Sequence, residues 1–362
     1  ALQAGMEPSR VSTRTYLFTT DVLSQDQASA IASGFPAAWT VFDGTPWTTY
    51  DSGTHPGAWY GYDSSVMGLH TDEELREALL SIPSISLVMS MDDWFGYNPP
   101  AGPFGIYPNI AYEGAEWERA VSMEWIEPES ADGFQINCEV AMQGGSGTSI
   151  TYASQGSMAI KFKKAYGPTE LEYQLFEDLK VDEFDTLLLD SGNQNSIHSN
   201  VSLSGKRHAQ CMRDQFMMDL QTEIGQPAPA GRHAHVFING LYWGLYNLHE
   251  RPDEDWAANH EAGGSEEYDW VKEGNVLAGN HNSFNHPTSP GSWKTALEIA
   301  ANGLNLGDQW QGVPSYEALQ EHVDLENYID YMLSTFMGDT STGRAKTGWL
   351  RVMLATAKTS RM

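Results

Sequence analysis

The residues of this 362-residue sequence best suited to chemistry fall into three groups. The first is Gln143-Gly144-Gly145-Ser146-Gly147-Thr148-Ser149. Glycines let a backbone approach an anion and turn its N–H groups towards it, and hydroxyls add donors. The same composition also serves an ordinary hairpin loop. The second group is basic: Lys161, Lys163 and Lys164 in SMAIKFKK. Strand alternation puts Lys161 and Lys163 on one face and Lys164 on the other. The third is Glu250-Arg251, an acid and a base where a strand gives way to a loop, a common place for binding residues. Two further sets are weaker. Asp92-Asp93 suits either a metal or a solvated turn. His233 and His235 share a strand face, but no Cys or acid stands beside them at metal-ligand spacing.

These side chains need elements to hold them. HAHVFI and LYWGLYNL flank Asn239-Gly240, whose residues readily take the positive φ of a type I′ hairpin turn, and Pro252 stops the second strand. GFQINCEVAMQ and SMAIKFKK read as strands either side of the glycine-rich run, and ISLVMS and FDTLLLDS as two more. Thr71 and Glu74 form a capping box that opens a helix with Leu75, Ala78, Leu79 and Ile82 at helical spacing, ended by Pro83. HAQCMRDQFMMDLQTEIG predicts a helix with Met212, Phe216, Met217 and Leu220 inward and Gly225 as its stop. Asp324 caps a last helix with Leu325, Tyr328, Ile329, Met332, Leu333 and Phe336 inward. Residues 1–70 open with TRTYLFTTDVL, an expected early strand, and continue as aromatic, Gly- and Pro-rich β pieces and turns.

Composition narrows the classes. Apolar residues make up 41% and aromatics 11%, enough for a globular core. The net charge of −28 repels nucleic acid and anionic lipid surfaces, so neither is an expected partner. No apolar run approaches the 18 residues or so that a membrane span needs. The two cysteines, Cys138 and Cys211, are too few for a disulfide framework and either pair or stay free thiols. ALQAGMEPSR carries no leader features, so an export signal is expected to have been removed or to lie upstream.

NGLYWGLYNLHERPDEDWA resembles the hairpin signature of the CotH (spore-coat protein H) kinase family, in the long form found in secreted bacterial proteins. The likeness continues upstream through GPFGIYPN, EWERAVSMEWI, GGSGTS, YGPTELEYQLFED and MRDQFMMDLQTEIGQP, in the family's order. It implies an α+β, atypical protein-kinase-like two-lobed fold that phosphorylates protein serines using ATP and Mg²⁺. On that reading residues 1–70 are a β-rich accessory region, 71–255 a kinase-like N-lobe with the central hairpin, and 256–340 a partial C-lobe with an insert. The nucleotide would meet Gly144, Gly145, Ser146, Thr148, Lys161 and Glu250, supported by Arg213 and Asp214. The resemblance implies an arginine or another residue where Gln143 stands, and usually a lysine at the place of Gln155. Lys161 is the nearest substitute. A secreted or cell-surface protein of a bacterium is the implied substrate, and the same location is implied for this chain. A reading from another class is an extracellular structural or carbohydrate- or protein-binding module built on the aromatics of residues 1–70.

Residues 341–362 do not fit this picture. They hold five basic residues and no acidic one, against 15 basic and 48 acidic in the 340 before them. After a helix like ENYIDYMLSTFMGDT the family has a motif resembling Asp-Trp-Pro-x-Lys-Asn-Trp, with a general-base aspartate and a metal-holding asparagine. Here Thr342–Gly348 reads TGRAKTG. Codons ACT GGC CGG GCA AAA ACT GGC would encode it, and the same bases one position out of phase, after a G, encode Asp-Trp-Pro-Gly-Lys-Asn-Trp. A shifted reading frame and an incomplete C-lobe are therefore expected. The catalytic base and the metal aspartate are absent from the sequence as it stands, and phosphoryl transfer is not expected of it.

Overall fold

The structure, a computed structural model, describes chiefly residues 12–39, 58–98, 104–143, 155–192, 211–265 and 312–338, less single positions within these stretches. The described strands are β1 (Ser84–Val88), β2 (Glu118–Ile126), β3 (Phe134–Gln143), β4 (Ser157–Lys161), β5 (Leu171–Glu172), β6 (Glu183–Phe184), β7 (Thr186–Asp190), β8 (Gly231–Ile238) and β9 (Leu241–Glu250). Seven of them close a barrel in the order β1-β2-β3-β4-β7-β9-β8, with β5 and β6 paired apart from it. Neighbours run antiparallel except β8 and β1, which run parallel and complete the ring. Closure leaves the ring without an edge strand.

Alternation along the strands decides what fills the barrel. Ile85, Leu87, Met123, Trp125, Cys138, Val140, Met158, Ile160, Leu187, Leu189, Val236 and Leu248 share the inner face, and none exceeds 1% exposure. Each such side chain contributes roughly 1.5–3 kcal/mol by leaving water. The expected hairpin is β8–β9, with Asn239 at φ 49° and Gly240 at φ 84°, both in the left-handed region that a type I′ turn demands.

Contacts divide the chain into two compact units: residues 1–211 with 231–250, and 212–230 with 251–362. In the first, residues 12–18 are extended and lie on the outside of β1 and β2. The Thr15 N–H donates to Glu124 Oε2 at 2.7 Å, and Thr15 Oγ1 donates to Ser86 Oγ at 2.8 Å. The expected early strand does not form: residues 12–18 pair with no strand, and Thr19–Leu23 is a helical turn, α1. Next come α2 (Gln27–Ala32), opened by an Asp26–Ser29 capping box, and α3 (Ser64–Met67). Among the described residues before 70 there is no strand; most of the β pieces expected there, at 40–57, lie outside the described residues. Phe35, Trp39 and Tyr60 are core residues packed with Phe95, Tyr107 and Trp243, so they present no face for stacking a sugar.

The capping box at Thr71 and Glu74 opens α4 (Asp72–Leu80) as the sequence predicts. α5 (Met91–Phe95) follows β1, capped by Ser90. Asp93 there accepts from Ser90 Oγ and lies 3.4 Å from Arg119 Nε, so it serves a cap and an ion pair. Cys138 is buried and Cys211 exposed, and both are free.

The second unit contains α6 (Arg213–Glu223), α7 (Glu254–His260), α8 (Gly312–Gln320) and α9 (Leu325–Gly338). Gly225, at φ 84°, stops α6 as expected. The inward faces expected for α6 and α9 need correction. Met212 and Phe216 are exposed while Gln215 is buried, and Tyr328, Ile329 and Leu333 are exposed while Asn327 and Ser334 are buried. Gln226, just past α6, hydrogen-bonds Asn327 and Asp330 of α9, a contact that apolar spacing does not mark. No helix among the described residues is long and apolar enough to cross a membrane.

Candidate functional site

The glycine-rich stretch joins β3 to β4. Gly144, Gly145, Ser146 and Thr148 lie outside the described residues, but the stretch's exit, Gln155–Ser157, is described and tightly held. The Gln155 side-chain amide donates to the Trp243 carbonyl at 2.5 Å. The Gly156 N–H donates to Tyr107 Oη at 3.0 Å, and the Gly156 carbonyl accepts from Tyr246 Oη at 3.1 Å. Trp243 Nε1 donates to the same Tyr107 oxygen at 2.9 Å. Ser157 Oγ donates to Asp190 Oδ1 at 2.9 Å, and Ser191 Oγ donates to the Gln155 carbonyl at 3.1 Å. Burial pushes the Tyr107 hydroxyl up to about 12, so it stays protonated.

Lys161 is the last residue of β4, on the outer face of the barrel opposite Glu139. Its ammonium lies 2.5 Å from Glu118 Oε1 and 3.9 Å from Glu139 Oε1. Lys163 joins the group at 2.9 Å from each glutamate. Burial alone would raise Glu118, but hydrogen bonds from Lys161 and Lys163 outweigh it and bring the carboxyl down to about 2. Glu139 shifts the other way, through its own burial and the neighbouring Glu118. Glu118 stands opposite Ala141, diagonal to Glu139, a neighbourhood that alternation within one strand cannot reveal.

Glu250 ends β9 opposite Leu187. Leu187 faces the barrel interior, so Glu250 does too, and it is 2% exposed. Lys161 and Glu250 therefore occupy opposite faces of the barrel wall and are not brought together. Both stand at the end of their strands remote from the glycine-rich stretch, about 13 Å along β4 from its first residue. Arg213 and Asp214 open α6 in the second unit, where Asp214 suits the positive end of the helix. His235 is buried in a structural contact described below, and the His233 ring nitrogen bonds the Cys211 carbonyl at 3.1 Å.

The model of the CotH family, described as CotH kinase protein, matches residues 147–340. The chain belongs to the CotH family. No curated protein matches it. The matched stretch takes in β4, β7, the β8–β9 hairpin and helices α6–α9. β1–β3 and the aromatic nest before them, which complete the same barrel, precede it. Of the chemistry a nucleotide would need, the described residues supply an ammonium held by a carboxylate, Lys161 with Glu118, on the outer face of the barrel. Gln155, where the resemblance implies a lysine, is committed to the Trp243 carbonyl.

Proposed function

We propose that this chain is a CotH-type, ATP-dependent protein kinase homologue of two-lobed kinase-like architecture that binds nucleotide and, as its sequence stands, does not transfer phosphate. The observation that carries the reading is the family match over residues 147–340, which includes the Lys161 of the Lys161–Glu118 ion pair. Backbone N–H groups of Gly144 and Gly145, with the hydroxyls of Ser146 and Thr148, would cradle the phosphates. ATP supplies the transferable γ-phosphoryl group when bound, with Mg²⁺ neutralising charge on its oxygens.

The inactive part of the proposal rests on Thr342–Gly348. That segment offers neither the aspartate that would orient a substrate hydroxyl nor the asparagine that would hold metal. Without them the positioning and electrostatic contributions to phosphoryl transfer are lost. The substrate of the intact reading frame would be a secreted or cell-surface protein of a bacterium.

The test is direct. Purified chain is incubated with Mg²⁺ and γ-labelled ATP, and its melting temperature is taken with and without nucleotide. A rise in melting temperature with no transfer of label to protein is expected. Metal-dependent labelling would refute the inactivity, and an unchanged melting temperature at millimolar ATP would refute nucleotide binding. A version carrying Asp-Trp-Pro-Gly-Lys-Asn-Trp and its continued frame is expected to regain transfer.

A further inference from the structure

We infer that the outer face of β1 and β2 is a seat for an extended peptide of a partner protein, one with hydroxyl side chains two residues apart, and that residues 12–18 occupy it as an exchangeable strap. The inference concerns residues before the family-matched segment and does not depend on nucleotide binding.

Alternation and register build the seat. Ile85, Leu87, Met123 and Trp125 fill the barrel, so Ser86, Ser122 and Glu124 between them point outwards. Pairing sets Ser86 opposite Glu124, and Glu124 opposite Gln135 on β3. Ser122 Oγ accepts from the Gln135 amide at 2.9 Å, which fixes the hydroxyl independently of the strap. Along β2 the seat thus offers a hydroxyl and, two residues on, a carboxylate. A second extended chain laid along β2 also advances about 6.5–7 Å per two residues, so it can meet both. Residues 12–18 do so. Thr13 Oγ1 lies 2.6 Å from Ser122 Oγ, and Thr15 Oγ1 donates to Ser86 Oγ at 2.8 Å. The Thr15 N–H donates to Glu124 Oε2 at 2.7 Å, and Arg14 Nη1 donates to Glu124 Oε1 at 3.3 Å. Short hydroxyl side chains suit this arrangement, because the strap lies against the sheet and leaves Ser86 fully buried beneath it.

The manner of attachment makes the strap exchangeable. Its polar side faces the barrel while Tyr16 and Phe18 stand outwards, 79% and 66% exposed, so the hold draws little on apolar burial. Its backbone joins no strand ladder. Glu124 is only 7% exposed, and among the described residues its carboxylate is bonded by Arg14 and Thr15 of the strap alone. A carboxylate compensated wholly by the strap can accept the same donors from another peptide of like chemistry.

The probe is a fluorescently labelled Ser-Thr-Arg-Thr-Tyr-Leu-Phe peptide, the sequence of residues 12–18, titrated into the full chain by anisotropy. Ser-Ala-Arg-Ala-Tyr-Leu-Phe is its control. Thr15→Pro in the chain removes the strap's N–H and hydroxyl donors while keeping an extended backbone. This variant should bind the probe about tenfold more tightly than the wild type, because the competing strap is weakened. Adding Glu124→Gln should weaken the probe about tenfold again. In the wild type, which needs no substitution to be folded, saturating probe should speed hydrogen exchange of the Thr15 amide as the strap is displaced. A probe that binds neither chain, that binds no better than its alanine control, or that ignores Glu124→Gln overturns the inference. So does unaltered Thr15 exchange at saturation, which would put the probe elsewhere. Concentration-dependent dimerisation of the wild type that Glu124→Gln abolishes would overturn the partner protein as occupant and seat the strap of a second copy there.

Discussion

Glu139 on β3 and Lys163 just beyond β4 meet at 2.9 Å on the outer face of the barrel, and Glu118 on β2 lies 2.9 Å from the same ammonium. With Lys161 they form a four-member group that ties three neighbouring strands together. Glu139 is only 2% exposed, so its charge depends on the two lysines for compensation.

The first prediction concerns acid. Glu118 titrates at about 2 in the folded chain, below the ordinary carboxylate value of about 4.3. A depressed carboxyl stabilises the fold above its unfolded value and loses that contribution as pH falls towards 2. Glu139 is raised, so it acts above the ordinary carboxylate value instead, where its protonation adds stability as pH falls. Replacing Glu118 by Gln should therefore lower stability at pH 7 by about 1–3 kcal/mol. It should also flatten the decline in melting temperature between pH 5 and pH 3, in units of about one pH step. A variant whose acid decline is as steep as that of the wild type would show that the group carries no such linkage.

His235 gives a second pH dependence. Its Nε2 lies 3.1 Å from the Ala78 carbonyl, which can only accept, so Nε2 carries the proton. Nδ1 then accepts from Tyr242 Oη, also at 3.1 Å. Burial lowers the imidazole below its usual value. The folded chain therefore binds fewer protons at this site than the unfolded one, and stability falls as pH drops below about 6.5. His235→Gln, which cannot titrate, should lose less melting temperature between pH 7 and pH 5 than the wild type. Parallel pH profiles for the two proteins would rule the site out as a contributor.

Several elements were legible because their signals are local. The Asn239-Gly240 turn, the Thr71–Glu74 capping box and the Gly225 stop each depend on a few adjacent residues and appear where expected. The site was less so. Lys161 and Glu250 both end strands, but whether they share a face depends on β4–β7–β9 register, and register is a property of pairs of strands. Tyr107 gave no signal at all, since a tyrosine in GPFGIYPN reveals a hydrogen bond to Gly156 only after the barrel closes. TYLFTTDVL misled by its alternation, which is real over residues 12–18 but gives way to a helical turn at Thr19.

The third prediction is steric. Gly244 has φ 145°, a conformation L side chains rarely adopt, and a Cβ there would meet the Gln155 side-chain nitrogen at less than contact distance. Gly244→Ala should cost about 2–3 kcal/mol, part from backbone strain and part from displacing Gln155 from the Trp243 carbonyl. Adding Gln155→Ala removes only the clash, so the double variant should be less unstable than the sum of the singles by about 1 kcal/mol. Strict additivity in a denaturant titration would mean that Gln155 swings aside freely.

The last prediction turns on the reversed faces of α9. Asn327 Nδ2 donates to Gln226 Oε1 at 2.6 Å, and Gln226 Nε2 donates to Asp330 Oδ2 at 2.7 Å. This one glutamine, just past α6, thus binds two residues of α9 whose side chains a hydrophobic periodicity would place in water. Meanwhile Ile329 and Leu333 are more than half exposed. Polar seams of this kind specify one alignment, because any slip leaves buried donors without acceptors. Gln226→Ala should therefore destabilise the second unit by about 1–3 kcal/mol. Leu333→Lys should change its stability by less than about 0.5 kcal/mol, as surface substitutions do. Denaturant titrations of both variants decide the matter: a costly Leu333→Lys beside a harmless Gln226→Ala would mean that α9 buries its apolar face in solution, with the polar seam exposed instead.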